Sequence, residues 1–318
     1  MIPNLTTIEV AHARIRPYIH RTPVLTCQTL NELSGANVFF KCENFQKIGA
    51  FKARGGVNAV LSFLEEERQK GNLIGPVVTH SSGNHAQAIA YAAGLVGTKA
   101  YIVMPRNAPQ VKKDAVRGYG AEVVECEPTL EARESTVADI AAQTGATMLH
   151  PFNDHRVIAG QATAAKELIE DYGVFDAIMA PVGGGGLLSG TALSVHYLCP
   201  SAKTIGSEPE GAADAVLSFR SGKIEKAAFI NTIADGLLTS LGDKTFPIIQ
   251  QHVSDILLVN DAEIVAAMRL IWERMKIIIE PSCAVPFAAL LRNKTQFVGQ
   301  KIGIILTGGN VDLGELPF

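Results

Sequence analysis

Gly49-Ala50-Phe51-Lys52-Ala53-Arg54-Gly55 sets a single lysine in a glycine-flanked turn, with an aromatic residue before it and small residues around it. Beyond it, residues 55–70 carry a helical spacing of apolar side chains that Gly71 ends. Lys52 therefore stands at the mouth of a helix, where an amine can be held against a carbonyl group. Lysine amines form Schiff bases with such groups. Taken alone, a lysine at a helix start is an ordinary solvated residue. Three other stretches give it a context: His80-Ser81-Ser82-Gly83-Asn84-His85, the four glycines Gly183 to Gly186, and Thr307-Gly308-Gly309-Asn310.

Outward from the lysine, short apolar runs alternate with helix-period segments. Residues 38–42, 76–79, 100–104, 122–125, 176–180, 203–206 and 301–306 read as strands. Residues 84–97, 109–119, 130–143 and 187–198 read as helices. This alternation predicts an α/β chain of βα units, with mainly parallel sheets and helices on both faces. No repeat, low-complexity tract or polar linker marks a domain boundary.

The 318 residues carry 28 basic and 31 acidic side chains, a net charge of −3. With no basic stripe, that balance argues against a nucleic-acid partner. A hydrophobic share of 47% and a charged share of 19% fit a compact core and argue against disorder. The apolar runs are strand-sized and broken by glycine, so no membrane span is expected. Met1-Ile2-Pro3-Asn4-Leu5 lacks a charged segment followed by an apolar one. Secretion is therefore not expected, and a cytoplasmic location is. Cys27, Cys42, Cys126, Cys199 and Cys283 are scattered, with no CxxC pair, which reads as reduced thiols.

Gly183 to Gly186 lie between a predicted strand and a predicted helix. Amides free of Cβ hindrance can wrap an anion, and a helix N-terminus adds positive potential, so the loop suits a phosphate. A tight strand–helix turn is the plainer alternative. A dinucleotide fingerprint needs glycine at the first, third and sixth positions. Counting from Gly183 the sixth is Leu188, and from Gly184 it is Ser189. No Gly-Lys-Ser/Thr follows, so this is not a P-loop.

Ser81 to His85 also join strand to helix. Hydroxyls and amides at a helix start suit a carboxylate, or an N-cap. Thr307 ends the last strand, as a capping residue or as a hydroxyl facing a ligand. Glu208 and Asp214, with the Ala212 carbonyl between them, are hard oxygen donors for Mg²⁺ or Ca²⁺, or else a solvated acidic loop. Arg133 reads as helix surface, or as a guanidinium that grips a second carboxylate in bidentate fashion.

In order and spacing, the stretches around Lys52, Ser82, Gly184 and Thr307 resemble the PLP-dependent serine/threonine dehydratase family. That family includes serine racemases and 3-hydroxyaspartate dehydratases and shares the fold of the tryptophan synthase β-subunit, fold type II. The resemblance runs from Thr22-Pro23 to Gly309-Asn310. It implies a large cofactor-binding domain of residues 1–73 and 149–318 and a small mobile domain of residues 74–148. Both would be open parallel sheets with helices on both faces, and pyridoxal 5′-phosphate would lie in the cleft between them.

The resemblance also implies roles. Lys52 would carry the cofactor as a Schiff base and, displaced by substrate, take the Cα proton. Gly183, Gly184, Gly185 and Gly186 would hold the phosphate, Phe51 and Gly236 would line the cofactor, and Asn84 would bond its 3′-oxygen. Thr307 would face the ring nitrogen. A hydroxyl cannot keep that nitrogen protonated as a carboxylate would, which favours loss of a β-substituent over transamination. Ser81, Ser82 and Gly83 would hold the α-carboxylate, with His85 and Thr239 positioning substrate. Ser82 matches the second acid/base of serine racemases. Glu208, Ala212 and Asp214 match their divalent-ion site, for Mg²⁺ or else Ca²⁺ or Mn²⁺. The Arg133-Glu134 pair is of the kind found in racemases and hydroxyaspartate dehydratases, and it favours a dicarboxylic substrate. Gln87, Lys112 and Tyr119 match positions that contact ATP, which would make ATP an effector.

Two positions depart from the common pattern. Ala50 stands where many members have serine, although hydroxyaspartate-type members carry alanine, and Val111 replaces a cysteine beside the nucleotide site of mammalian racemases. No stretch after Asp312 reads as the regulatory domain of allosteric threonine dehydratases.

The expected activity is that of an ammonia-lyase (dehydratase) acting on a β-hydroxy amino acid, 3-hydroxyaspartate first and serine or threonine second. A racemase with side β-elimination is the nearest rival. A β-replacement synthase usually shows Ser-Val-Lys-Asp at the lysine, which Phe51-Lys52-Ala53 does not match. A nucleotide-binding module would not require Lys52. The expected partner is a small amino acid, with no membrane, and the expected assembly is a homodimer.

Overall fold

A computed structural model describes residues 1–227 and 229–318 of the chain. Its strands in chain order are β1 (Val24–Leu25), β2 (Asn37–Cys42), β3 (Val77–His80), β4 (Ala100–Pro105), β5 (Glu122–Cys126), β6 (Thr147–Met148), β7 (Ala177–Pro181), β8 (Lys203–Pro209), β9 (Asp255–Val259) and β10 (Lys301–Leu306). The helices are α1 (Leu5–Ile15), α2 (Gln28–Ser34), α3 (Lys52–Gln69), α4 (Asn84–Val96), α5 (Gln110–Gly118), α6 (Leu130–Thr144), α7 (His155–Tyr172), α8 (Gly186–Leu198), α9 (Asp214–Ser221), α10 (Phe246–His252), α11 (Asp261–Met275) and α12 (Pro281–Arg292).

The strands form two sheets. The larger has the order β1-β2-β10-β7-β8-β9, and the smaller β5-β4-β3-β6. Every pairing is parallel except β1 with β2 at one edge. Strands covered on both faces need continuous apolar runs, and β7 is buried along its whole length. One face of the large sheet packs on α11 and α12 through Phe40, Met179, Ile304, Met268 and Phe287. The other packs through Ile178, Ile305, Leu188 and Ile256 towards α8. The small sheet is covered by α4 through Ile89 and Ile102, and by α6 through Val137 and Ile140.

The helix boundaries follow local chemistry. The Thr129 side chain accepts from the Ala132 amide to start α6, and Gly145 ends it in the left-handed region. Asn260 and Glu263 form a reciprocal capping box on α11. Helix α3 begins at Lys52, three residues before the periodicity places it. Its first turn carries a lysine and an arginine, and the turn is held from outside, by Phe51 N–H on the Thr307 carbonyl and by an Ala50–Gly308 bridge.

Arg54, in the first turn of α3, is fully buried and spends its guanidinium on Glu43, Glu167 and Thr163. Lys41 and His12 also bond Glu167. Such a cluster adds little net stability, but removing one partner strands a charge in the core and costs about 3–5 kcal/mol. It fixes α3 against β2 and α7, with Lys52 on the other side of the helix. The carboxyl ends of β2, β10, β7 and β3 lead directly into the segments at 43–52, 307–310, 182–186 and 81–85. Open α/β sheets bind ligands at that edge.

Candidate active site

Lys52 Nζ donates to the Pro151 carbonyl at 3.1 Å and lies 5.2 Å from the centre of the Phe51 ring. Burial pushes its pKa down to about 8, opposed by the Glu280 carboxylate, which raises it. An amine in that range serves as nucleophile and base near neutral pH.

The glycine loop caps α8. Among the described residues the amides of Gly183, Gly184 and Gly185 have no backbone partner, and a helix leaves its first amides free by geometry. Gly185 has a φ of 87°, open to glycine and strained for other residues. The loop also answers to packing. A Cβ on Gly184 would sit 2.3 Å from the Phe152 ring, and one on Gly183 would sit 3.0 Å from Leu237 Cα. Four consecutive glycines thus serve close approach by neighbours as well as open amides.

At the end of β3, Gly83 takes the N-cap position of α4 with no side-chain cap, so neither Ser82 nor Asn84 caps the helix. Ser81 Oγ accepts from the Gly83 amide at 3.3 Å. The Ser82 hydroxyl has no bonded partner among the described residues. Asn84 is held at both ends of its amide. Nδ2 donates to Glu280 Oε1 and Oε2, and Oδ1 accepts from Asn310 Nδ2 at 2.8 Å. His85 is buried, and its Nε2 faces the Leu149 carbonyl at 3.3 Å. A carbonyl only accepts, so Nε2 carries the proton. Burial and then Lys52 drive the imidazole pKa well down, which leaves Nδ1 a bare lone pair without a partner among the described residues. The His85 side chain therefore offers an acceptor, and only its backbone amide can serve a carboxylate.

Thr307 is buried, and its Oγ1 has no hydrogen-bond partner among the described residues. Gly236 donates its amide to Ser282 Oγ at 2.9 Å, and Thr239 lies exposed on the loop that follows. Arg133, on α6, makes no ion pair among the described residues, and its buried Nε has no acceptor. Its charge bears on His80, whose pKa falls through burial and through Arg133. The Glu134 carboxylate opposes it there, so both side chains of α6 lie near the loop end of β3.

Sequence reasoning missed Glu280, His150 and Phe152. Glu280 opens α12 ahead of Pro281. Burial, then Asp235, pushes its carboxyl up to about 7. The signal was available as a lone carboxylate before a proline-led apolar helix. His150 and Phe152 lie on the crossover from β6 to α7, where nothing in their spacing marks a site.

These residues fit pyridoxal phosphate. Free amides of α8 suit its phosphate, the Lys52 amine its aldehyde, and the orphaned Thr307 hydroxyl its ring nitrogen.

Glu208 and Asp214 are buried, so the solvated-loop reading of this segment fails. Glu208 accepts from the Ala215 and Val216 amides at 2.9 and 3.0 Å, and burial, aided by Asp214, pushes its carboxyl up to about 8. Asp214 Oδ2 has no partner among the described residues, and Ala212, between them in sequence, is buried. This all-oxygen donor set suits a hard divalent ion. Among the described residues no cluster of three or more His, Cys, Asp or Glu could hold a metal, so Ala212 and water would have to complete the shell. At the expected nucleotide positions, Gln87 is nearly buried, Tyr119 packs edge-on to Tyr91, and Lys112 pairs with Asp235 at 2.9 Å. Among the described residues no helix is long and apolar enough to cross a membrane.

The sequence matches the family described as pyridoxal-phosphate dependent enzymes over residues 15–308. It is 51% identical to a β-hydroxyaspartate dehydratase of Paracoccus denitrificans, covering 100% of this chain and 99% of that protein. It is 47% identical to an L-threo-3-hydroxyaspartate ammonia-lyase of Saccharomyces cerevisiae, covering 98% and 95%. The crystal structure of a serine racemase from Dictyostelium discoideum superposes with a TM-score of 0.92 at 52% identity, covering 98% of this chain and 99% of that one. The fold is that of fold type II enzymes.

Proposed function

The chain belongs to the pyridoxal-phosphate dependent enzyme family, and from that premise we propose that it is an ammonia-lyase that eliminates water and then ammonia from 3-hydroxyaspartate. The observation that carries the dicarboxylic choice is the Arg133 guanidinium, unpaired among the described residues, with a buried Nε and near the end of β3. A half-buried guanidinium with an unfilled Nε–H suits a carboxylate. Serine and threonine offer only the carboxylate that the Ser81–Gly83 loop would take.

Pyridoxal phosphate, when bound, supplies the electron sink for the Cα carbanion. Gly183 to Gly186 hold its phosphate, and Phe51, Asn84 and Gly236 line it. Lys52 would hold its aldehyde and, as a free amine, would take the Cα proton. Thr307 offers the ring nitrogen a hydroxyl and no charge, which favours rapid loss of the β-hydroxyl. Ser81, Ser82, Gly83 and the His85 amide orient the α-carboxylate, and Thr239 closes over the substrate. Water leaves from Cβ, and the released enamine becomes an imine that hydrolyses to oxo acid and ammonia. Residues 74–148 move against the rest to open and close the cleft. Mg²⁺, or Ca²⁺ or Mn²⁺, binds Glu208, Ala212 and Asp214. ATP acts as an effector at Gln87, Lys112 and Tyr119. The enzyme works as a cytoplasmic homodimer.

A second reading is serine racemase activity. The unbonded Ser82 hydroxyl favours it, because a proton delivered to the second face of Cα needs a donor besides Lys52. The deciding experiment incubates the holoenzyme with each stereoisomer of 3-hydroxyaspartate and with serine and threonine. The expected result is equimolar oxaloacetate and ammonia from one hydroxyaspartate isomer, faster than any oxo acid from serine. Turnover of serine or threonine alone would overturn the assignment. Interconversion of D- and L-serine outpacing elimination would promote the second reading.

A further inference from the structure

His150 sits on the crossover Leu149-His150-Pro151, which gathers much of the site. The Leu149 carbonyl accepts from Thr79 and His85, and the Pro151 carbonyl accepts from Lys52. The His150 ring stands edge-on between two others, 6.0 Å from His80 and 4.6 Å from Phe152. Phe152 in turn packs on Gly184. The ring therefore lies between the β3 end, where Arg133 bears on His80, and the glycine loop.

Its protonation state follows from its partners. The amides of Phe152 and Asn153 approach Nδ1 at 3.3 and 3.0 Å. An amide N–H only donates, so Nδ1 must be a bare acceptor and the ring proton must be on Nε2. Burial, then His80 and Lys52, lowers the pKa to about 4, so the ring stays neutral at working pH. Nε2–H has no partner among the described residues and is not sealed from solvent. The ring is thus a donor of fixed direction with its other nitrogen already spent.

We propose that His150 is a further specificity-determining residue, whose Nε2–H donates to the distal carboxylate of a dicarboxylic substrate alongside Arg133. This rests on the reading of 3-hydroxyaspartate as substrate. A neutral donor here has a physical rationale. Another cation near Lys52 and Lys244 would be costly to bury, while a neutral N–H adds direction without charge.

The test uses two replacements that separate the nitrogens. In His150→Gln the side-chain amide can place an N–H near the Nε2 position. In His150→Asn the side-chain oxygen can keep the two backbone bonds but leaves no donor there. Binding to the holoenzyme is measured with malate and with 3-hydroxypropanoate, the amine-free counterparts of the dicarboxylic and monocarboxylic substrates. His150→Asn should weaken malate about tenfold or more. His150→Gln should stay within about threefold of wild type, and 3-hydroxypropanoate should change little in either. Nitrogen NMR of the labelled ring should show the proton on Nε2. A proton on Nδ1, equal malate loss in both variants, or equal loss of the two ligands would overturn the proposal. Failure of the wild type to turn over hydroxyaspartate sinks the substrate reading instead, and the malate comparison still decides the role of His150.

Discussion

Asn84 Nδ2 donates to both carboxylate oxygens of Glu280, at 3.0 and 3.2 Å, across 196 residues of sequence. One residue opens α4 over the small sheet and the other opens α12 under the large one. The bond therefore ties the helix on the small sheet to the helix on the large one and aims the amide that would meet the cofactor. Its strength depends on the charge of Glu280, which burial makes expensive.

Replacing Glu280 by Gln should reshape the pH profile of stability. The folded carboxyl titrates near 7 against an ordinary 4.5. Between those values the folded state binds the extra proton, so stability falls as pH rises through the window. Glu280→Gln should flatten that fall. It should also lower the Lys52 pKa further, since Glu280 is what raises it. Thermal melts of the apoenzyme across the window check the first effect, and a slope unchanged from wild type would refute it.

Lys52 should react as an amine of pKa about 8, not 10.5. Reductive alkylation of the apoenzyme, followed by peptide mapping, should give a half-maximal rate near that pH. The linkage has the opposite sign to that of Glu280. The unfolded chain binds the extra proton between about 8 and 10.5, so stability rises with pH there. Lys52→Met should remove that rise and abolish turnover. A Lys52 midpoint near the ordinary value would contradict the buried setting.

The fold was legible because its central strands are buried on both faces and so read as short apolar runs, as β7 and β10 do. The glycine loop and the Ser81 loop were legible because each joins a strand to a helix start, and anion chemistry needs that geometry. The shared cause of the misses is distance along the chain. Glu280 matters through Asn84, and His150 through its own backbone turn and the neighbouring rings. Neither contact leaves a local pattern. The buried state of Glu208 was also invisible, because an acidic residue followed by proline reads as surface. Only packing by α9 turned it inward.

Ser82→Ala should separate two activities. A positioned proton donor contributes about a hundredfold or more. Racemisation of serine should therefore fall by that order, with elimination retained within about tenfold. Chiral analysis of serine beside oxo-acid release reads both at once. Equal losses would make Ser82 a binding residue only.

Glu208→Gln or Asp214→Asn should make activity indifferent to EDTA. In the wild type, added Mg²⁺ or Ca²⁺ should raise the melting temperature, by mass action on the folded state. The rise should be larger above pH 8 than below it, because burial holds Glu208 protonated up to about 8 and the ion must displace that proton. A wild-type melting temperature that no divalent ion moves would dispose of the site.

Arg133→Ala should raise the KM for 3-hydroxyaspartate far more than that for serine. Among the described residues the guanidinium has no carboxylate partner, and its buried Nε has no acceptor. Only a substrate with a second carboxylate can supply both. A charge-assisted bond of this type contributes roughly 1.5–3 kcal/mol, so the ratio of the two kcat/KM values should shift about tenfold to a hundredfold. Comparing two substrates in one variant cancels general damage to α6, which the loss of a large half-buried side chain can cause. Arg133→Lys sharpens the result. It keeps the charge but loses the fork, so a bidentate grip predicts only partial rescue. If both substrates weaken alike, Arg133 acts through the packing of α6 on β3, and the monocarboxylic β-hydroxy amino acids become the leading substrates.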